Sequence, residues 1–264
     1  MTDLCPVERR RVARTANVPY PLSKPMTTLT ADTMDLSLSD FDAIDAVFSI
    51  KGEDMRTHRG RSVVAVTVEG QRHFLKRFWF DRRQPLKRNV ARGMHELKMI
   101  DWLCNHGFRG PNVVRQGLGG AGLFSTRMFF LMREMPGERP LETAWRVDHD
   151  NAKNLLWAVG ELAARLHDAG FCHVDFSERH IFVGGTLASP TFRLIDVERA
   201  KVGRIDERQC ACDLATLAAS ISDQRLRDAI RTTVVNQYIR KRKTLADNID
   251  FRTLFERAKP TKSF

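Results

Sequence analysis

"HVDFSERHIFV", residues 173–183, sets two histidines, two acids and an arginine directly before an apolar run. The apolar end predicts a strand at 181–183, so Asp175 stands in the loop entering it, framed by His173 and His180. Further on, "LIDVERA" at 194–200 places Asp196 among Leu194, Ile195 and Val197. An acid in apolar company needs a counter-charge or a metal, because an unpaired buried carboxylate is costly. An Asp in a loop is more often only a turn former, but two such acids flanking one predicted hairpin point to chemistry.

Working backward, "NAKNLLWAVGELAARLHDAGF" at 151–171 predicts a helix with Leu155, Val159, Leu162, Ala163 and Leu166 on one face and Gly170 as its C-terminal stop. "MREMPGERP" at 132–140 reads as a connection, since Pro136, Gly137 and Pro140 break regular structure. Before it, β-branched and aromatic runs predict an antiparallel meander: "FSIKG" from 48, a polar turn "EDMRTHRG" at 53–60, "RSVVAVTVEG", "QRHFLKRFWF", and strands at 112–118 and 127–134. A helix is inserted over "RNVARGMHELKMIDWLCNHGF", with Val90, Met94, Leu97, Ile100 and Cys104 as its apolar stripe. "LSLSDFDAIDAVF" predicts a short helix capped by Ser37 or Ser39. After the hairpin of 181–183 and 192–196, turning at "GGTLASP", helices run from about 213, with Asp213 as an N-cap.

The chain is 264 residues long and 42% apolar with 28% charged residues, enough to bury a real core. Its longest apolar runs, such as "MFFLM" at 128–132, fall far below the ~20 residues that span a bilayer. The first 25 residues are basic but lack the apolar middle of an export signal. Five cysteines, an odd number without a C-x-x-C pair, read as reduced thiols, and the Cys210-Ala-Cys212 pair alone is a weak metal signal. The formal charge of +11, with clusters at Arg9–Arg11, 81–88 and "RKRK" at 240–243, favours anionic partners: phosphosugars, nucleotides, lipid headgroups or nucleic acid. A solubilising surface has the same composition, and no nucleic-acid motif accompanies it.

A sheet lobe, a connection and a helical lobe with Asp-bearing loops resemble the protein-kinase-like fold. Within it, "HVDFSERHIFV" with "LIDVERA" is similar to the lipopolysaccharide core kinases, which phosphorylate heptose or Kdo in the inner core of Gram-negative bacteria; His180 stands where other kinases carry a metal-binding Asn. The resemblance implies an α+β, bilobal fold: a leader at 1–40, an N-lobe of antiparallel sheet plus one helix at 41–135, and a mainly helical C-lobe at 136–264. It implies ATP and Mg²⁺ as cofactors, an anionic glycolipid or phosphosugar as acceptor, and a cytoplasmic place at the inner face of the inner membrane. No specific nucleic acid is implied.

Phosphoryl transfer needs a cation on the nucleotide phosphates, a metal bridging them and a carboxylate that takes the hydroxyl proton. Lys76 in "HFLKRFW" suits the first task, against a solvent-facing strand lysine as the plain alternative. The resemblance pairs it with Glu96, makes Asp175 the base and Asp196 the Mg²⁺ ligand, and sets Glu134 with Lys76, His180 and Asp196 at the nucleotide. His173 is the loop's brace among the catalytic set. His180 stands near phosphate or metal, although Mg²⁺ prefers oxygen ligands. Asp213 has a second implied task, tying its carboxylate to the catalytic-loop backbone. "KGEDMRTHRG", the expected phosphate-covering turn, has only Gly52 and Gly60, which shifts the grip to Arg56, Arg59 or Arg61.

Val174 replaces the arginine that reads activation-loop phosphorylation in many protein kinases, and only sixteen residues separate Asp196 from Asp213. A small or glycolipid acceptor is therefore favoured over a protein. Rival readings are a small-molecule phosphotransferase of the aminoglycoside or choline type, a kinase-like stress-response or binding protein without turnover, and a basic nucleic-acid binder.

Overall fold

The computed structural model describes residues 35–80, 88–120, 126–147, 152–243, 245 and 249–261. Residues 1–34 of the leader expected at 1–40, and most of the basic cluster at 81–88, lie outside these residues. The chain forms two compact units, one of residues 1–94 and 111–135, the other of 95–110 and 136–264.

The first unit is built on a five-stranded antiparallel sheet. A 3-10 turn at Leu38–Phe41, whose Ser37 and Asp40 form a capping box, leads into α1 (Ile44–Ser49). Then come β1 (Glu53–His58), β2 (Arg61–Val68) and β3 (Gln71–Trp79), the helix α2 (Arg88–Asn105), whose residues 88–94 belong to this unit and 95–105 to the second, β4 (Val113–Gly119) and β5 (Arg127–Arg133), with the strands ordered β1-β2-β3-β5-β4. Strand alternation decides which side chains are sealed. Val64, Val66, Val68, Leu75, Phe129 and Leu131 pack on Phe41, Val47 and Ile50 from the helical cover, each full burial stabilising by about 1.5–3 kcal/mol. Lys76, one step on from Leu75, takes the other face with Phe78, and the opening turns of α2 lie there too: a side chain at Gly93 would meet the Phe78 ring at 2.8 Å. Arg77 donates to the carbonyls of Val47, Phe48 and Ile50 and so caps α1, with burial drawing its pKa down.

Three expectations are corrected here. "EDMRTHRG" is not a turn but β1, an edge strand exposed at every position. With neither face buried it carries no apolar alternation to read. Its connection to β2 is only Arg59-Gly60, with Gly60 in the left-handed region (φ +74°). "FSIKG" is not a strand: Phe48 and Ser49 end α1, Ile50 is its C-cap, and Lys51 and Gly52 lead on to β1. On α2, Met94 is 52% exposed, whereas Glu96, Met99 and Leu103 are buried, so the apolar stripe is rotated from the expected one.

The second unit contains β6 (Arg139–Pro140), α3 (Leu141–Val147), α4 (Ala152–Asp168), β7 (Phe171–Cys172), β8 (Ile181–Thr186), β9 (Ser189–Leu194), β10 (Lys201–Val202), α5 (Glu207–Ser220), α6 (Gln224–Ala229), a π-helical turn at Ile230–Val234, α7 (Val235–Lys241) and α8 (Phe251–Arg257). The expected stripe on α4 is buried throughout. At Gly160, a Cβ would come within 2.7 Å of the Val234 carbonyl, so glycine sets the close approach of the π-helical turn to α4. The hairpin β8–β9 is longer than expected and turns on Leu187-Ala188, while β6 joins its edge. The sequence reading did not foresee α3 or the two-residue strands β6, β7 and β10, which are too short for a periodic signal. No described helix is long and apolar enough to cross a membrane.

Candidate active site

The second unit brings together the loop between β7 and β8 and the turn that follows β9. Ile195 N–H donates to the His180 carbonyl at 3.0 Å, extending the hairpin by one bond and placing Asp196 beside His180. His180 Nε2 lies 3.6 Å from Asp196 Oδ2, and His180 Nδ1 lies 3.9 Å from Asp175 Oδ2. One ligand atom from each of Asp175, His180 and Asp196 fits within 4.8 Å of the others, the only such group of His, Cys or acidic residues among the described residues. Cys210 and Cys212 join no such group and form no disulfide.

The tautomer of His180 follows from its neighbours. Its Nδ1 is 2.9 Å from the Asp175 carbonyl and 3.2 Å from Ser177 Oγ. A carbonyl only accepts, so Nδ1 carries a proton, and in the neutral ring Nε2 offers its lone pair on the Asp196 side. Two electron-rich groups facing each other at that distance form a site that a cation between them makes favourable. The set Asp175, His180 and Asp196 thus fits a divalent metal, with the His180 ring oriented by a hydrogen bond on its other nitrogen, as ligating histidines are.

His173 is a brace. Its Nε2–H donates to the Ile195 carbonyl at 3.1 Å, one residue before Asp196, and burial holds the imidazole below the ordinary histidine range. Its Nδ1 is buried without a hydrogen-bond partner among the described residues. Val174 has φ +68° and Asp196 φ +55°, left-handed conformations that cost a non-glycine residue about 1–2 kcal/mol.

Asp213 holds that strained loop. It is not an N-cap: α5 begins at 207 and is capped by Asp206, which accepts from Gln209 N–H at 2.8 Å. Asp213 lies inside the helix, 1% exposed, and its carboxylate accepts from the backbone N–H groups of His173 and Val174, both at 2.8 Å. The expected tie to the catalytic-loop backbone is therefore present.

Behind Asp213 runs a network that sequence reasoning missed. His167 Nε2 is 3.3 Å from Asp213 Oδ2, and its Nδ1 is 3.0 Å from Tyr238 Oη, which also accepts from Arg242 Nε at 2.8 Å. Burial opposes charge on His167, but hydrogen bonds to Asp213 and Cys210 outweigh it and raise the pKa to about 9. Both ring nitrogens then donate. Arg242 also pairs with Asp168 and Glu207, and its side chain is 2% exposed. The "RKRK" run therefore contains one buried structural cation, which charge counting alone reads as surface.

The remaining candidates lie elsewhere. Lys76 is 8% exposed on β3, with Nζ 5.6 Å from the Phe78 ring and 5.8 Å from Phe130. It is not a solvent-facing strand lysine. Glu96 is 2% exposed on α2. Glu134 continues the β3–β5 ladder through its N–H to the Arg72 carbonyl, and its side chain is 3.9 Å from Arg72 Nε.

No curated protein matches the sequence. Among solved structures, WaaP in complex with acyl carrier protein aligns over 81% of this chain and 89% of its own, at 20% identity and a TM-score of 0.59. A microcompartment-associated aminopropanol kinase aligns over 77% and 79%, at 13% identity and a TM-score of 0.51. At these identities the likeness establishes the fold, a kinase-like α+β architecture. The family model of the lipopolysaccharide kinases matches residues 52–238, a span that holds Asp175, His180, Asp196 and Asp213, and the chain belongs to the lipopolysaccharide kinase (Kdo/WaaP) family.

Proposed function

We propose that the protein transfers the terminal phosphoryl group of ATP to a sugar hydroxyl, heptose or Kdo, of the lipopolysaccharide inner core. The observation that supports this reading is the convergence of Asp175, His180 and Asp196 within 4.8 Å. In the proposed reaction the acceptor oxygen forms a bond to the γ-phosphorus as the bond to the β-γ bridging oxygen breaks and ADP departs. Asp175 receives the hydroxyl proton. Asp213 keeps the base in place by holding the two N–H groups before it, and His173 keeps the turn of Asp196 against the loop. Asp196 and His180, with Asp175 beside them, would hold Mg²⁺, which when bound neutralises charge on the phosphate oxygens. The roles expected of Lys76, Glu96 and Glu134 toward the nucleotide belong to the same proposal.

An anionic glycolipid acceptor accords with the charge of +11 and with action at the inner face of the inner membrane, where each basic side chain near an anionic surface contributes about 1 kcal/mol. The test is transfer of labelled phosphate from ATP to purified inner-core lipopolysaccharide, run beside Asp175→Asn. Transfer by the wild type with at least a thousandfold loss in the variant, and nucleotide binding retained, is expected. Turnover by the variant at the wild-type rate would remove Asp175 from its role, and no transfer to the intact glycolipid would return the small-molecule kinase to first place.

A further inference from the structure

The residues that follow Asp196 carry a charge pattern that the catalytic groups do not use. Arg199, Lys201, Arg204 and Arg208 are all exposed, and among the described residues none of their side chains has an acidic partner. The acids in the same stretch have other partners: Asp206 caps α5, Glu207 accepts from Arg242 at 3.0 Å, and half-buried Glu198 is engaged as well. Four cations are thus left facing solvent within ten residues.

The backbone carrying them is fixed. Ala200 N–H donates to the Val197 carbonyl at 3.1 Å, and the Ala200 carbonyl accepts from His95 Nε2 at 2.8 Å. Lys201 and Val202 pair with Cys172 and Phe171, and Gly203 N–H donates to Gly170 at 2.9 Å. Cys172 directly precedes His173, so the strand that carries Lys201 is laced to the one that leads into the catalytic loop. Arg199 is three residues from Asp196, a span of at most roughly 11 Å. A scattered solvating charge needs no such anchoring. A backbone held in place beside the proposed transfer site leaves only the side chains to be ordered when its cations close on an anion.

We propose that Arg199, Lys201, Arg204 and Arg208 form the acceptor-recognition surface, reading oxyanions, carboxylate or phosphate, that the acceptor glycan carries next to the hydroxyl to be phosphorylated. This rests on the phosphotransfer reading for the identity of the ligand, but binding is measurable without turnover.

The probe is deacylated inner-core oligosaccharide, used as isolated and after enzymatic removal of its phosphates, with maltotriose and a single-stranded RNA 12-mer as comparisons. Calorimetry without nucleotide compares the wild type with the quadruple variant R199Q/K201Q/R204Q/R208Q and with R225Q/R231Q, which removes exposed cations from α6 and the π-helical turn. If each contact contributes two- to threefold, the quadruple variant weakens oligosaccharide binding roughly 30-fold, while R225Q/R231Q and maltotriose show no change. Retained affinity after dephosphorylation assigns the contact to carboxylates, and its loss assigns it to phosphates. In transfer assays KM for the acceptor rises by the same factor, with kcat and KM for ATP within twofold. Should the quadruple variant not fold, Arg204→Gln alone carries the test, with a two- to threefold loss expected.

Affinity within threefold in the quadruple variant, an equal loss in R225Q/R231Q, or RNA bound tighter than the oligosaccharide and lost in parallel would overturn the proposal. Binding that is lost as expected, without any phosphate transfer by the wild type, leaves the surface standing and removes the kinase reading. Transfer with an unchanged acceptor KM does the reverse, and a wild type that neither binds nor transfers removes both.

Discussion

His180 turns its Nε2 toward Asp196 Oδ2 at 3.6 Å because its Nδ1 is held at 2.9 Å by the carbonyl of Asp175. Asp175, the proposed base, thus orients the His180 imidazole through its own backbone, independently of its carboxylate. Mutation of the outer-shell group that orients a ligand typically weakens a metal site by 10–100-fold, and loss of the ligand itself should cost no less. His180→Ala should therefore raise the Mg²⁺ concentration that half-saturates ATP-dependent thermal stabilisation by about tenfold. Asp196→Asn should abolish the metal-dependent part. An unchanged Mg²⁺ titration in both variants would show that the metal sits elsewhere.

Val174 predicts an inversion of the usual substitution order. In a left-handed conformation alanine keeps the strain and glycine removes it, whereas elsewhere glycine is the less stable of the two. Val174→Gly should be more stable than Val174→Ala by roughly 1 kcal/mol in urea unfolding. The reverse order would mean that φ at 174 relaxes once the valine is gone.

The raised pKa of His167 makes stability depend on pH with a definite sign. Its folded value, about 9, lies above the ordinary 6.5, so the charged form is favoured by folding. That contribution is complete below pH 6.5 and is lost as pH rises through 9, amounting to about 3 kcal/mol over the interval. His167→Gln should flatten the slope between pH 6.5 and 9. A wild-type profile that is already flat there would mean that His167 is neutral.

Arg242, the C-cap of α7, joins Tyr238 of that helix to Asp168 and Glu207. Removing one member of a buried ion pair costs about 3–5 kcal/mol because the other charge stays buried. Arg242→Met should destabilise by about that amount and speed amide exchange at His173 and Val174 through Tyr238, His167 and Asp213. Arg240→Met, exposed two residues earlier, should do neither.

The convergence of Asp175, His180 and Asp196 is legible in the sequence because the candidate site sets spaced polar residues against apolar strands. So is α4, whose stripe is long and one-sided. What could not be read depends on partners distant in sequence. β1 is an edge strand exposed on both faces, and its residues "EDMRTH" look like any polar turn. Asp213 resembled a cap because an acid at a helix start is common, yet its partners lie 39 and 40 residues upstream. Arg242 was hidden inside a basic run, where only tertiary packing separates one buried guanidinium from its solvated neighbours. Glu96 was placed on the helix correctly, but the buried face runs through it rather than through Met94, since a buried acid weakens the apolar signal of the side it occupies.

The short path from Asp196 to Asp213 bears on control. Residues 200–203 are hydrogen-bonded to His95, β7 and Gly170, and α5 is capped from Asp206. Between the ladder and the cap lie only Arg204 and Ile205, too few to exchange between an ordered and a disordered state, the transition by which longer segments of this kind are switched. On the proposed reaction, the geometry around Asp175 and Asp196 is set when the chain folds, since the path between Asp196 and Asp213 is pinned along its length by the ladder and the cap.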